Sequence, residues 1–504
     1  MSASKEKKVR VEQRGTGNDR KRGASEEALR DRKFRRNAII AVVCIVLVVA
    51  AALVINSNLF YTSLTALTVG NTNYSAAEVN VFYRTTYNSL YNTVQSQYGE
   101  LASYMLPDSS TALDKQQYSD TQTWADYLLE RTIDNMKQVT VLYEQATANG
   151  YVLTAEDNEV IDSQMASMEQ AAAQNNITVA QFLTAVYGKG VSADTVRSVV
   201  TKMIVSESYA EQVRSAPQYT EADLDAYYAA HRDELDYVRY WSYFVSASND
   251  AFAEEADDAA KQAAAHAAAQ TIADAATDGE HFAEAVRAFY ADAYTAEQRY
   301  QGVNLPDSYS AWLLDASRSA GDVTVTDTDG GSYVLLFLDR DDNDYHTRAM
   351  RHILINVEAG EDGSVSDEVK DSAEARIREI AEEWEADPTE EHFSELANSY
   401  SEDPGSNTNG GLYEDIYRGQ MVPPIDSFLF TEGAQPGDTT IVYADSSYYG
   451  WHMVYYVGED DGPLYKYTLA EDAKRSGDYD AWLDGLTDAC TVTPGSGRNY
   501  VKLG

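Results

Sequence analysis

The C-terminal half of this 504-residue chain contains one pattern twice. EHFAE at 280–284 is answered by EHFSE at 391–395, and WLLDASRSAGD at 312–322 by FLFTEGAQPGD at 428–438 without a gap. The order around them repeats as well: a strand-like run, a helical stretch, the EHF segment, a connection and a closing strand region. VRYWSYFVSA and VTVTDTDGGSYVLLFL bound the first copy, MRHILINV and TTIVYADSSYYGWHMVYYV the second. Two copies of about 110 residues are too few for a solenoid, so the repeat predicts two related α/β domains in tandem. Their expected limits are 238–343 and 344–460. DTDGG at 327–331 lacks the third acidic ligand and closing Glu of a calcium loop and reads as a hairpin turn.

The stretch before the repeat has a different texture. Residues 57–237 are mainly helical by pattern, with apolar positions three and four apart. WADYLLERTIDNMKQVTVLYEQATANG (124–150) ends on Gly150, a helix stop. Thr154 and Thr220 stand as caps before helices at 153–176 and 219–235, with acidic residues in the first turn. After the repeat, DYDAWLDGLTDA (478–489) predicts one more helix within a C-terminal segment, 461–504. The fold class expected is α+β: a helical domain, two α/β domains and a returning helix.

Charge is divided sharply along the chain. Residues 1–36 carry a net +7, and the remainder a net −49. An acidic body of that kind repels nucleic acid and anionic lipid, so nucleic-acid binding is excluded for the bulk of the protein. Between them, 38–55 hold no charged residue in eighteen positions, flanked by KFRR on one side only. That length suffices to cross a bilayer core. The positive-inside rule then assigns 1–36 to the cytoplasm as a basic tail, with 37–56 as a single-pass transmembrane helix and the rest extracytoplasmic. A cleaved signal peptide is the competing reading, although its apolar core is usually about 7–15 residues. Cys44 and Cys490 cannot pair across such a layout, so the exported part must stand without disulfides.

The chain has seven histidines, and two of them open and close the second copy: His352 in MRHILINV and His452 in GWHMVYY. The first copy places Tyr243 and Tyr333 at those points. The second copy alone carries the long connection SEDPGSNTNGGLYEDIYRGQMVPPIDSF, unusual in length unless it serves a purpose. Two histidines on adjacent strands, Asp403, and apolar Leu412, Met421 and Phe430 would form a half-polar pocket. A histidine pair that merely supports the fold is the plainer alternative. Metal binding by His352, His452 and Asp403 has no supporting pattern, and hydrolase motifs such as G-x-S-x-G or H-E-x-x-H do not occur.

RHILI, EHFSELANSYSEDPGS, NGGLY, RGQM and GWHMVYY together resemble a parvulin-type (PpiC-like) peptidyl-prolyl cis–trans isomerase over residues 346–458. The resemblance implies His352 and His452 as the paired core histidines and Asp403 as the acidic member of a catalytic set. It implies Leu412, Met421, Ile425 and Phe430 around the proline ring. Ile425 stands where the family usually has a phenylalanine, and Tyr413 replaces a common glycine. The acidic run NVEAGEDGSVSDE replaces the basic cluster of phosphate-directed members, so no phospho-Ser/Thr-Pro preference is expected. The layout is similar to exported foldases of the SurA and PrsA kind: a helical chaperone domain, two parvulin-like domains with the first degenerate, and a C-terminal helix that returns to the chaperone domain. Such a protein needs no cofactor or metal. It would act on unfolded exported polypeptides with X-Pro bonds; a catalytically inactive holdase is the alternative, and a homodimer is left open.

Overall fold

The computed structural model describes residues 57–358, 360, 365–445 and 450–501, together with Lys33, Asn37 and 39–49. The expected basic tail thus lies outside the described residues except for Lys33, and so does part of the expected anchor. Among the described residues no helix is long and apolar enough to cross a membrane. The chain divides into two compact units, Met1–Pro217 with Asp478–Gly504, and Gln218–Gly477.

In the first unit, β1 (Thr65–Val69) and β2 (Thr72–Ser75) precede five long helices: α1 (Ala76–Tyr98), α2 (Trp124–Ala148), α3 (Ala155–Gln174), α4 (Val179–Tyr187) and α5 (Ala193–Ser215). Each helix starts where the sequence supplies a reciprocal cap. Ser75, Thr123, Thr154, Thr178 and Ser192 accept the amide three residues on, and the side chain found there returns a bond to the cap's backbone. A cap of this kind is worth roughly 1 kcal/mol and fixes the first turn. Phe82, Met136, Ile161, Leu183, Val196 and Val199 then meet in one core. Asp157 is buried there, and burial pushes its carboxyl up. Bonds from the Ser208 and Tyr151 hydroxyls and the Thr154 amide outweigh this and bring it down to about 2.

This mainly helical unit also holds strands that the sequence pattern did not reveal. A three-stranded antiparallel sheet runs β11–β1–β2, in which β11 (Val492–Pro494) comes from the far end of the chain. The strands are only three to five residues long, too short for apolar alternation to be recognised. The returning helix is present as part of a longer one, Tyr465–Ala489. Its Tyr479, Trp482, Leu483 and Leu486 pack with Val141, Leu142, Val205 and Tyr209 of α2 and α5.

The second unit opens with α6 (Glu221–Ala230), capped by Thr220, and continues into the two repeats. The first repeat consists of β3 (Tyr237–Ser246), α7 (Asp258–Ala275), α8 (Gly279–Phe289), β4 (Glu297–Gln301), β5 (Val323–Thr328) and β6 (Gly331–Asp341). The second consists of β7 (His346–Asn356), α9 (Asp367–Glu385), α10 (Glu390–Tyr400), β8 (Leu412–Ile416), α11 (Pro423–Leu429), β9 (Thr439–Ala444) and β10 (Gly450–Leu464). Both sheets are antiparallel, ordered β4–β3–β6–β5 and β8–β7–β10–β9. The same permutation of four strands in each copy is what a duplicated unit requires. Asp329 and Gly330 turn β5 into β6, as the DTDGG pattern predicts.

Each sheet buries one face under its two long helices. In the second copy Ile353, Ile355 and Val357 meet Ile377, Ile380, Trp384, Phe393 and Leu396. The other face carries Met350, Val454 and Tyr456, packed by Ile425 and Leu429 of α11. The long connection at 401–428 is therefore not a bare loop, since β8 and α11 lie within it. Nor is it confined to the second copy. Residues 290–322 of the first also hold an edge strand, β4, and a short helix, Ser310–Leu313.

Candidate active site

β7 and β10 are neighbours, with His352 opposite Val454 and His452 opposite Leu354. Side chains two residues apart share a face, so both imidazoles emerge on the side away from the long helices. His352 Nε2 lies 2.7 Å from His452 Nδ1, and the rings stack at 4.9 Å. Both are buried, at 6 % and 2 % exposure. The other ring nitrogen of His352, Nδ1, faces Asp403 Oδ2 at 3.5 Å, within ion-pair range but with no hydrogen-bond partner of its own.

Asp403 is the hub of this network. Its carboxylate accepts from the Ser406 hydroxyl at 2.5 Å, the Tyr413 hydroxyl at 2.8 Å and the Gly405 amide at 3.0 Å. His352 holds the Asp403 carboxyl below the usual carboxylate range against the opposing effect of burial, and Ser406, Tyr413 and Gly405 add to it. An ionised Asp403 favours the proton of a neutral His352 on Nδ1. Nε2 is then left to accept from Nδ1–H of His452.

The connection is laced to β7 by its backbone. Glu402 N–H donates to Leu354 O at 2.8 Å, Leu354 N–H to Ser401 Oγ at 3.1 Å, and His352 N–H to Gly411 O at 2.9 Å. The last contact explains the paired glycines of NGGLY. Gly411 has φ +71°, and a Cβ there would stand 2.3 Å from the carbonyl oxygen of His352. Only glycine allows so close a crossing.

The network forms one wall of a cleft of about 760 Å³. Met421, Val422 and Ile425 of the long connection give it an apolar wall, and Met350 and Leu354 flank His352 on β7. His352, His452, Asp403, Met421 and Ile425 are thus brought together. Leu412 is not: it pairs with Arg351 on β7, whose side chain reaches Glu390 on the helix-covered face. Phe430 lies behind the cleft, edge-on to Tyr345 at 5.5 Å. Tyr413, read from sequence only as a departure, points into the cleft and bonds Asp403. The pleat gives the reason: it is one residue past Leu412 and therefore faces the opposite way.

The first copy shows what the same face becomes without histidines. Ser242 is opposite Leu335 and Tyr333 is opposite Phe244, so Ser242, not Tyr243, occupies the place of His352. Tyr243 packs on the helix side of its sheet. Tyr333 does correspond to His452. Tyr309 fills the space in front, its hydroxyl 3.2 Å from that of Tyr240 and its ring 5.1 Å from Tyr333.

A four-stranded antiparallel sheet, two helices on one face and a histidine–aspartate network in an apolar cleft on the other together mark a parvulin-type domain. Residues 352–458 match the family model of the PPIC-type PPIASE domain (Rotamase). Proteins named Chaperone SurA resemble this chain over longer stretches. The chain is 29 % identical over 303 residues to a protein named Chaperone SurA from Alkalilimnicola ehrlichii, covering 57 % of this chain and 64 % of that one. The chain thus spans less than two thirds of that relative's length. It is 25 % identical over 340 residues to Chaperone SurA from Pseudomonas fluorescens, covering 64 % and 75 %. Among solved structures, foldase protein PrsA from Streptococcus pneumoniae aligns over 74 % of this chain and 92 % of its own, at 11 % identity and a TM-score of 0.26.

Proposed function

We propose that this protein is an extracytoplasmic foldase that binds unfolded exported polypeptides and catalyses cis–trans isomerisation of their X-Pro bonds at the cleft of the second repeat. The observation that carries the reading is the division of the cleft into a polar wall, His352–His452–Asp403–Tyr413, and an apolar wall, Met421–Ile425. The X-Pro barrier of about 18–20 kcal/mol comes from amide resonance, which separates charge between nitrogen and oxygen. A site lowers it by favouring the twisted, less conjugated amide over both planar forms, with no covalent step. The apolar wall holds the proline ring and keeps water from the carbonyl. That weakens the charge-separated form. The network supplies fixed dipoles beside the turning bond, which need no reorganisation as it turns.

In this reading the histidines orient one another and Asp403. Full-length protein should accelerate isomerisation of a proline peptide, and His352→Ala and Asp403→Ala should each cut kcat/KM by about 10- to 100-fold. Unchanged rates in both variants would sink the assignment. The uncharged run 38–55 beside KFRR, together with the exposed apolar side chains of 39–49, supports a single-pass anchor with the body outside the cytoplasm. A second reading is a holdase in which both repeats only bind peptide. The tyrosine-filled face of the first repeat favours that role for the first repeat alone. Aggregation of an unfolded client, followed with His352→Ala, separates the two, because holding survives the substitution and isomerisation does not.

A further inference from the structure

The apolar wall of the cleft is the segment from Gln420 to Ile425, and its own repeat does not account for all that holds it. Gly419 N–H, at its start, donates to Asp426 Oδ1 at 2.6 Å. Arg418 lies over the ring of Tyr345 at 4.7 Å and reaches Asp341 Oδ2 at 3.8 Å. Asp341 is the last residue of the first repeat's β6. Arg299, from β4 of that repeat, donates to the same oxygen at 3.1 Å. Its guanidinium is covered by Tyr237 at 3.8 Å. Its Cδ packs so closely under Gly419 that a Cβ there would come within 2.8 Å.

Asp426 is half-buried beside them. Burial pushes its carboxyl up, while the Gly419 amide and the charges of Arg299, Arg418 and Arg239 pull it down. Two of those three cations belong to the first repeat. The arrangement is not one that stability alone would select, since the buried Nε atoms of both Arg299 and Arg418 lack a hydrogen-bond partner. Imperfectly satisfied buried charge of this kind is retained where it sets a geometry.

We infer that Arg299 of the first repeat is a positioning residue for the proline-binding wall of the second, acting through Asp341–Arg418 and through Asp426 at the foot of the wall. The first repeat, which lacks the paired cleft histidines, would then be a structural part of the site of its neighbour, an inference that rests on the isomerase reading above. Without Arg299, the ionised Asp426 faces a weaker positive field in a partly desolvated place and turns outward to water. It then lets go of the Gly419 amide, and Gln420 to Val422 follow.

Arg299→Met keeps the alkyl stem over Tyr237 and Gly419 while removing the charge. In the full-length protein it should raise KM for a proline peptide by about tenfold, with kcat reduced less, since the wall grips the ring and the histidine network is untouched. Asp426→Asn, which no longer needs the cation, should restore much of that KM when combined with Arg299→Met. A residue that merely stabilises the fold would show no such recovery. Amide exchange at 419–426 should quicken by about tenfold in Arg299→Met while that of β7 and β10 stays slow. If exchange at Gly419 is unchanged, the inference is overturned whatever the kinetics show. A wild type without isomerase activity but with the exchange effect would instead remove the isomerase reading and leave the link between repeats standing. Wild-type activity with an unaltered KM in Arg299→Met overturns Arg299 as a positioning residue.

Discussion

Asp403 gathers three donors and faces His352, and each contact has a cost if broken. Tyr413→Phe removes one donor from a half-buried carboxylate and should destabilise the second unit by about 1–2 kcal/mol at neutral pH. Asp403 titrates lower in the folded protein than in the unfolded chain. Its network therefore adds stability above about pH 4, and that stability is lost as the pH falls further. Urea titrations of wild type and Tyr413→Phe should accordingly draw together as the pH falls below about 4; a constant difference across pH would show that the hydroxyl does not act through the carboxylate. His352, His452 and Asp403 were legible in the sequence because residue type and pairing across the repeat singled them out. Tyr413 was passed over as an irregularity, although its position beside Leu412 in LYEDI already set it on the other face.

At the scale of the element, β7 and the segment crossing it decide whether the site exists. Gly411→Ala places a methyl against His352 O at a backbone angle that alanine resists. It should cost about 2–4 kcal/mol, visible as a lowered unfolding midpoint, and should reduce the proposed isomerase activity with it. Activity retained at a normal midpoint would mean that the crossing is not needed. Thr154 and Thr220 were readable as helix starts because a cap is a local device, spanning four residues. The strand faces of the first repeat were harder. In YVRYWSYFVS aromatic residues occupy both faces, Tyr240 on one and Trp241 and Tyr243 on the other, so alternation carries no direction. A slip of one residue then exchanges Ser242 for Tyr243 as the counterpart of His352.

The whole chain closes its first unit with its own end. β11 pairs Val492, Thr493 and Pro494 with Val69, Thr68 and Leu67, and Tyr500 stacks on Phe60 at 5.4 Å. Ending the chain after Cys490 should expose the β1 edge and lower the stability of this unit by about 2–5 kcal/mol. Amide exchange in α1 and α2 should report it, with β7 and β10 unaffected; unchanged exchange in α1 would show that the strand is dispensable. Sequence alone determined the duplication, the helix caps at Thr154 and Thr220, the histidine–aspartate set and the parvulin resemblance, since all of these are written in composition, local spacing or a comparison of the chain with itself. Tertiary structure decided which residues face the cleft, that Leu412 and Phe430 do not, and that a β-strand from the far end completes the first unit. It also brought Arg299 and Asp341 beneath the cleft wall of the other repeat. Those contacts join residues far apart in the chain, and it is packing that selects among the partners that charge and hydrophobicity alone allow.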